Sequence, residues 1–578
     1  MSDWRGWVPR AWSLALALLL LGPALGPGHL LTYDMVWVPD LAVRPDVWGV
    51  GSGLPRAVPS DAVVAVLDEV VPGALLQKPV LLGALVGGGL GAARLVPGDS
   101  LAARLVAVAV YQWNPFVTER LLLGHWPVLV GYAVLPWVLL AGRRWRETGR
   151  LPASLLVLAP LGCLSASAGL ATAVALLAVA AGGRRTAPAL ALALAANLPW
   201  LVTGALHAVD ARTDAAGAEL FALGPDGVLP PPLAALVLGG VWNGEVVLPS
   251  RDGVLAWLGL VVLVVLAAAG ARRWVRTSAR RDVVALVLCW AVGLVLALLT
   301  WAAPDAVGWL AAHVPGAGLV RDGSRLLVLC APLVAVLAGC GAAALLARAA
   351  GPTTGTTPRV VLAGVLAAAP VTLMPDAALG LSGRLEPTTY PASYAAARDA
   401  VDGAGPGDVL ALPLSSYRQP WWNHDRKVLD PLPRHLPRDV VASDELVVSD
   451  VTVAGEDPRV REAAAALAAP TPGERADRLA ALGIGLVALD RLAPGTAPAV
   501  AGEVLLDTEE LLVVELPGAV DRPVRTSWVV AAVLAWTTWL AVVLGAPGLA
   551  LARALRGRRR RPETAPGRGP ETGPETST

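Results

Sequence analysis

Three carboxylates, Asp34, Asp40 and Asp46, sit in the stretch HLLTYDMVWVPDLAVRPDVW (residues 29–48), directly after the first long apolar run of the chain. They are either ordinary solvated loop charges or the working carboxylates of an enzyme. Two later connections between apolar runs are also polar. YQWNPFVTERLLLGHWPVLVGY (111–132) carries Asn114, Glu119, Arg120 and His125, and AAHVPGAGLVRDGSRLLVL (311–329) carries His313, Arg321, Asp322 and Arg325. A charge close to hydrocarbon costs about 2.5–3.5 kcal/mol at a helix centre and less toward its ends, so such groups face a cavity and pair with each other or with a ligand. For Arg120 the plain alternative is a headgroup anchor paired with Glu119, and for Arg321–Asp322 an ion pair joining two spans.

A fourth polar stretch, SYRQPWWNHDRK (416–427), offers Trp421, Trp422 and Asn423. Aromatic faces complement the apolar faces of sugar rings; a packed seam between two parts of the molecule explains the same residues equally well. His424 and His435 are too isolated to argue zinc, no Ser-His-Asp or Gly-x-Ser-x-Gly arrangement stands out, and no close cluster of oxygen ligands calls for a divalent metal. Cys163, Cys289, Cys330 and Cys340 all lie in apolar runs, as small core residues do. No cofactor is indicated, and a net charge of +1 gives no global field for nucleic acid.

The elements that must position these groups are membrane spans. Of the 578 residues 55% are hydrophobic and 16% charged, and the mean hydropathy is +0.60, whereas soluble domains average nearer a quarter charged. Apolar runs near the bilayer length of about 20 residues recur from Ala11 to Pro375. The expected spans are 11–31, 78–96, 101–115, 126–142, 151–168, 169–183, 187–205, 253–271, 282–301, 326–348, 360–374 and 527–550, about twelve in all. Leu233–Pro249 is too interrupted to span and suits a re-entrant or interfacial segment. Gly83, Gly87 and Gly91 fall on one face of the second span, a small-residue pattern for close packing. Clusters such as GRRWRETGR (142–150), RRWVRTSARR (272–281) and RGRRRR (556–561) mark the cytoplasmic side. That orientation puts both termini in the cytoplasm and the polar stretches 29–48, 111–132, 311–329 and 416–427 outside. SDAVVAVLDEVVPGALLQKP (60–79) begins with a helix-start signal and suits a short helix along the membrane surface.

Composition changes at 376. From there to 525, charges are frequent and short apolar runs such as GDVLALPLS, GIGLVALD and LLVVELP alternate with turn residues and a helical pattern. The expected organisation is a membrane core (1–375), an extracytoplasmic α/β domain (376–525), a last span (526–552) and a disordered basic, Pro-Glu-Thr-rich cytoplasmic tail (553–578).

With a long, acidic first outer loop, a surface helix, a many-span core and an external C-terminal domain, the chain resembles the GT-C glycosyltransferase superfamily. WNPFVTERLLLGHWPVLVGYAVLPW, VPGAGLVRDGSR, TYPASYAAARDAV, VLALPLSSYRQPWWN and ADRLAALGIGLVALDR look like segments of actinobacterial cell-envelope proteins related to the arabinofuranosyltransferases and to YfhO-type membrane proteins. That resemblance implies a multi-pass enzyme of the cytoplasmic membrane that takes a sugar from a polyprenyl-phosphate donor, a membrane lipid, and passes it to a cell-wall glycan or lipid-linked acceptor. An acidic residue of the first outer loop acts as general base there, which carried over is Asp34 first and Asp40 second. Arg120, Arg321 and Arg325 become candidates for the donor phosphate, with Glu119, His125 and Asp322 as orienting groups. Many GT-C members have an adjacent acidic pair in that loop; here five residues separate Asp34 from Asp40. The rival class is a non-catalytic envelope protein that binds or scaffolds glycan. A transporter or flippase ranks last, since mid-span charges and inverted repeats are not evident.

Overall fold

In the computed structural model, the described residues run from 4 to 559, apart from 52, 54, 56, 209–215, 315, 350–355, 449 and 450. The Pro-Glu-Thr repeats after Arg561 fall outside them. Among the described residues eight helices are long and apolar enough to cross a membrane: Gly6–Leu25, Gly73–Leu95, Trp126–Thr148, Gly183–Leu206, Val254–Thr277, Arg280–Ala302, Ala331–Arg348 and Thr526–Ala550. A ninth candidate, Thr357–Leu373 with Pro375–Gly383, bends by 75°.

The expected dozen is therefore too many on length, and the reason is geometric. Run 101–115 forms the 12-residue helix Leu101–Gln112, and 151–183 forms Ala153–Leu161 and Ala166–Ala180, of 9 and 15 residues. At 1.5 Å per residue none of these reaches across roughly 30 Å of hydrocarbon. Counting apolar runs cannot separate a full crossing from a broken one. The last helix continues to Arg559, past the expected limit at 552. The glycine face is also shifted: a Cβ on Gly83 or Gly87 would meet nothing within 4 Å, whereas one on Gly91 would lie 2.8 Å from Pro136 and Trp137.

Beyond the bundle, a five-stranded mixed sheet has the order 440–441, 408–412, 484–490, 511–515, 503–507; the first three strands run parallel, 511–515 pairs antiparallel with 484–490, and 503–507 pairs antiparallel with 511–515. Leu410, Leu412, Val441, Ile484 and Val487 close a core of their own with Leu479 of the helix Pro472–Ala481. A separate ribbon, Tyr417–Arg418 paired with Val428–Leu429, leaves the sheet and lies against the loop after the first helix.

That loop is fastened by polar groups from three directions. Gln77 of the second span exchanges both amide hydrogen bonds with Leu30, at 2.8 and 2.9 Å. Asp34 N–H donates to Leu123 O at 3.0 Å, and Tyr33 N–H donates to Lys427 O at 2.8 Å. Gly124 permits the contact with residue 34. It sits at φ +78°, and a Cβ there would lie 2.0 Å from Met35 N.

Candidate active site at the bundle mouth

The short helix Pro115–Leu122 starts at a strong local signal. Asn114 caps it by accepting from Val117 N–H at 3.1 Å, and Pro115 occupies the first turn. The helix carries Glu119 and Arg120 into the interior, and His125 follows at the entry of the next span. Asp322 and Arg325 come from the 3-10 turn that leads into Ala331–Arg348. Because these connections and the Asp34 loop all touch, they lie at one end of the bundle.

There they form a single chain of contacts. His125 Nε2 is 3.1 Å from Asp34 Oδ2, and His125 Nδ1 is 3.0 Å from Arg120 Nη1. Arg120 also donates to Ser324 Oγ and lies 3.5 Å from Asp322 Oδ2, while Ser324 donates to Asp322 Oδ1 at 2.5 Å. Arg325 Nε donates to Asp322 Oδ2 at 2.8 Å, and its Nη2 is 3.4 Å from His125 Nε2. Tyr417, from the ribbon, donates its hydroxyl to Asp34 Oδ1 at 2.8 Å.

The proton positions follow from donor chemistry. A guanidinium only donates, so His125 Nδ1 accepts from Arg120 at 3.0 Å and the ring proton sits on Nε2, which donates to Asp34 at 3.1 Å; the longer 3.4 Å approach of Arg325 Nη2 to that N–H is then a contact and not a hydrogen bond. Burial and then the charge of Arg325 pull His125 down to about 4, so the ring is neutral at pH 7. Burial pushes Asp34 upward, but hydrogen bonds from His125 and Tyr417 and the charge of Arg325 outweigh it and hold the carboxyl at about 2. Since 42% of the Asp34 side-chain surface is open, solvent screens part of that pull; its direction stands. Asp322 is held below the ordinary carboxylate range because Arg120 and Arg325 outweigh its burial.

The network grades from closed to open. Arg120 is fully buried and the Asp322 side chain is 5% exposed, whereas Arg325 keeps 36% of its side-chain surface and Asp34 keeps 42%. An ionised carboxylate and a guanidinium are thus presented together, each steadied from behind. Two of about four lone-pair positions on Asp34 are taken by His125 and Tyr417, which leaves capacity for a proton.

The other expected residues are elsewhere. Asp40 pairs with Arg398 at 2.8 Å. Arg321 lies 4.6 Å over the Phe221 ring and 4.0 Å from Glu456. Glu119 is buried apart from Asp34; burial and then the Asp226 carboxylate push its carboxyl well above the usual range. Trp422 and Asn423, expected as sugar-stacking groups, are corrected by burial. Trp422 packs edge-on or tilted against Tyr390 and Tyr394, and Asn423 bonds to Leu31 O and Arg426 O, so both belong to the seam. Trp421 is exposed. Ser324 lies between Asp322 and Arg325 and Tyr417 within the stretch 416–427, but nothing in their local sequence marks a partner hundreds of positions away. Among the described residues no three His, Cys, Asp or Glu side chains come together. The neighbours of Asp34 are hydrogen-bond donors and a cation, a poor set for a hard metal ion.

No family model and no curated protein matches the chain. Its fold is similar to that of arabinofuranosyltransferase AftD from Mycobacteria, solved by cryo-EM, with a TM-score of 0.52 and 16% identity over 90% of this chain and 40% of that one. A mutant form of the same enzyme gives 0.51 and 17%, over 90% and 42%. The oligosaccharyltransferase AglB from Archaeoglobus fulgidus aligns at 0.32 with 12% identity, over 83% of this chain and 65% of that one. The likeness to the AftD structures is one of fold. The chain spans 40% of the length of the AftD structure it matches.

Proposed function

We propose that this protein is a membrane glycosyltransferase that moves a sugar from a polyprenyl-phosphate donor to a carbohydrate acceptor at the outer face of the cytoplasmic membrane. The observation that carries the proposal is the open pair, Asp34 beside Arg325, on a closed support of His125, Arg120, Asp322 and Ser324. The AftD-like fold supports the class.

In this mechanism the acceptor hydroxyl oxygen attacks the anomeric carbon, the bond from that carbon to the phosphate oxygen breaks, and polyprenyl phosphate leaves. Asp34 takes the hydroxyl proton. Arg325 meets the negative charge that collects on the leaving phosphate. Arg120 acts on His125 and Asp322 and not on substrate, since it is fully buried behind them. A carboxylate held at about 2 is a weak base. His125 and Tyr417 do most of the lowering, and the donor's phosphate offsets the smaller pull of Arg325. An apolar groove lined by Val110, Trp113, Leu263, Leu266, Leu373 and Asn114 runs beside the start of the Arg120 helix. It suits a polyprenyl chain.

The test is transfer from labelled polyprenyl-phosphate sugars by the parent, Asp34→Asn and Asp40→Asn. Loss of a general base lowers turnover by about 10²–10⁴-fold, expected for Asp34→Asn alone. Equal turnover by the parent and Asp34→Asn removes the assignment.

A further inference from the structure

An acceptor hydroxyl has to reach the exposed face of Asp34, and the residues around that face come from three separate parts of the chain. Tyr33 precedes Asp34, and its ring meets the Tyr417 ring edge-on at 6.1 Å. The Tyr33 hydroxyl donates to Glu245, whose two oxygens accept from Lys427 Nζ at 2.6 and 2.8 Å. Glu245 lies in the connection between the spans ending at Leu206 and starting at Val254, and its backbone oxygen accepts from Arg384. Glu245 and Lys427 are exposed, with 56% and 44% of their side-chain surface open.

Tyr33 has φ +42°, a conformation that is strained for a non-glycine residue and persists only when the surroundings over-determine it. Its carbonyl accepts from Leu429 N–H, and its own N–H donates to Lys427 O, both at 2.8 Å. The ribbon therefore holds Tyr33 in this form, with its hydroxyl bonded out to Glu245. Two aromatic faces beside a rim of ionised donors and acceptors are the groups that hold a sugar ring: the rings meet its C–H face and the rim meets its hydroxyls.

We propose that Tyr33, Tyr417, Glu245 and Lys427 form the acceptor subsite, built to hold a carbohydrate with one hydroxyl against Asp34. This deepens the glycosyltransferase proposal and rests on it, but its test is binding, not turnover. Full-length protein in nanodiscs is probed with an array of neutral oligosaccharides, arabinofuranosides and mannosides included. The parent is expected to retain a subset of the array. Tyr33→Ala and the surface changes Glu245→Gln and Lys427→Met are expected to weaken that retention at least tenfold, while Asp40→Asn, a change at the carboxylate that pairs with Arg398, keeps it. A parent that retains no glycan, or rim variants of parent-like melting temperature that retain the same glycans equally, overturns the subsite. If Tyr33→Ala fails to fold, Glu245→Gln and Lys427→Met decide the matter. Should the rim variants lose binding while Asp34→Asn still transfers sugar at the parental rate, the subsite stands and the catalytic assignment falls.

Discussion

Two ion networks in this molecule are built on a fully buried arginine, and they differ in how they end. Around Arg418, Asp430 accepts at 2.7 Å and Asp490 lies 3.2 Å away, and both aspartate side chains are 5% exposed. Around Arg120, contacts pass through Asp322 and His125 and finish at two groups open to solvent, Arg325 and Asp34. The first network has no outlet, and it ties the ribbon to the strand 484–490 and to the turn at Pro413–Ser415. The second keeps one charge of each sign accessible. A buried arginine alone marks neither structure nor function; the exposure of its outermost partners separates the two roles.

Breaking each network should therefore fail in a different currency. Arg418→Met leaves two buried carboxylates without their cation, which destabilises by about 3–5 kcal/mol and should appear as a large fall in melting temperature. Arg325→Gln removes an exposed cation; its melting temperature should stay near the parent's while turnover falls about 10²–10³-fold, as for loss of a transition-state donor. If Arg325→Gln unfolds the protein and leaves the turnover of the folded fraction intact, the two networks are of one kind.

The third test concerns pH. His125 has a folded pKa of about 4 against an ordinary 6.5. Between those values the unfolded chain binds a proton that the folded site refuses, so the stability from this group is complete above 6.5 and is lost as pH falls toward 4. The shift corresponds to about 3 kcal/mol. His29 is lowered to about 4 in the same direction, chiefly by burial. Asp68, Asp439 and Asp490, raised to about 6 first by burial, act in the opposite sense. The His125 contribution is therefore read as the difference between the parent and His125→Asn, the variant losing less stability from pH 6.5 to 4. A variant that follows the parent across that range would remove His125 from the account.

Asp40→Asn should have the smallest effect. Its pair with Arg398 is half open to water, and exposed pairs contribute about 0.2–1 kcal/mol. Transfer activity close to the parent's, beside a nearly inactive Asp34→Asn, would sharpen the distinction between two carboxylates of one loop.

Several pieces of the site were visible one residue at a time. Asp34, Arg120, His125, Asp322 and Arg325 are conspicuous because each interrupts or borders an apolar run, where an uncompensated charge is costly. Their mutual distances were not visible, since the pairs span 91 residues from Asp34 to His125 and 202 from Arg120 to Asp322. Asp40 and Arg321 carry the same local signature and stand in other contacts, because a solvated loop and a lined cavity look alike when only neighbouring letters are compared. Tyr417 had no signature at all, as a tyrosine before a buried arginine in a two-residue strand resembles any edge residue.

Hydropathy, charge spacing and the change of composition at residue 376 by themselves determined that this chain is a membrane-embedded helical protein with a strand-rich portion near its C-terminus, because transfer from water to hydrocarbon is summed locally along the chain. Which helices cross fully, which aspartate is held by donors, which arginine is shielded and where the ribbon docks were decided by tertiary structure alone. Those outcomes depend on desolvation and on distances of about 3 Å between groups hundreds of residues apart, and no local sum contains either.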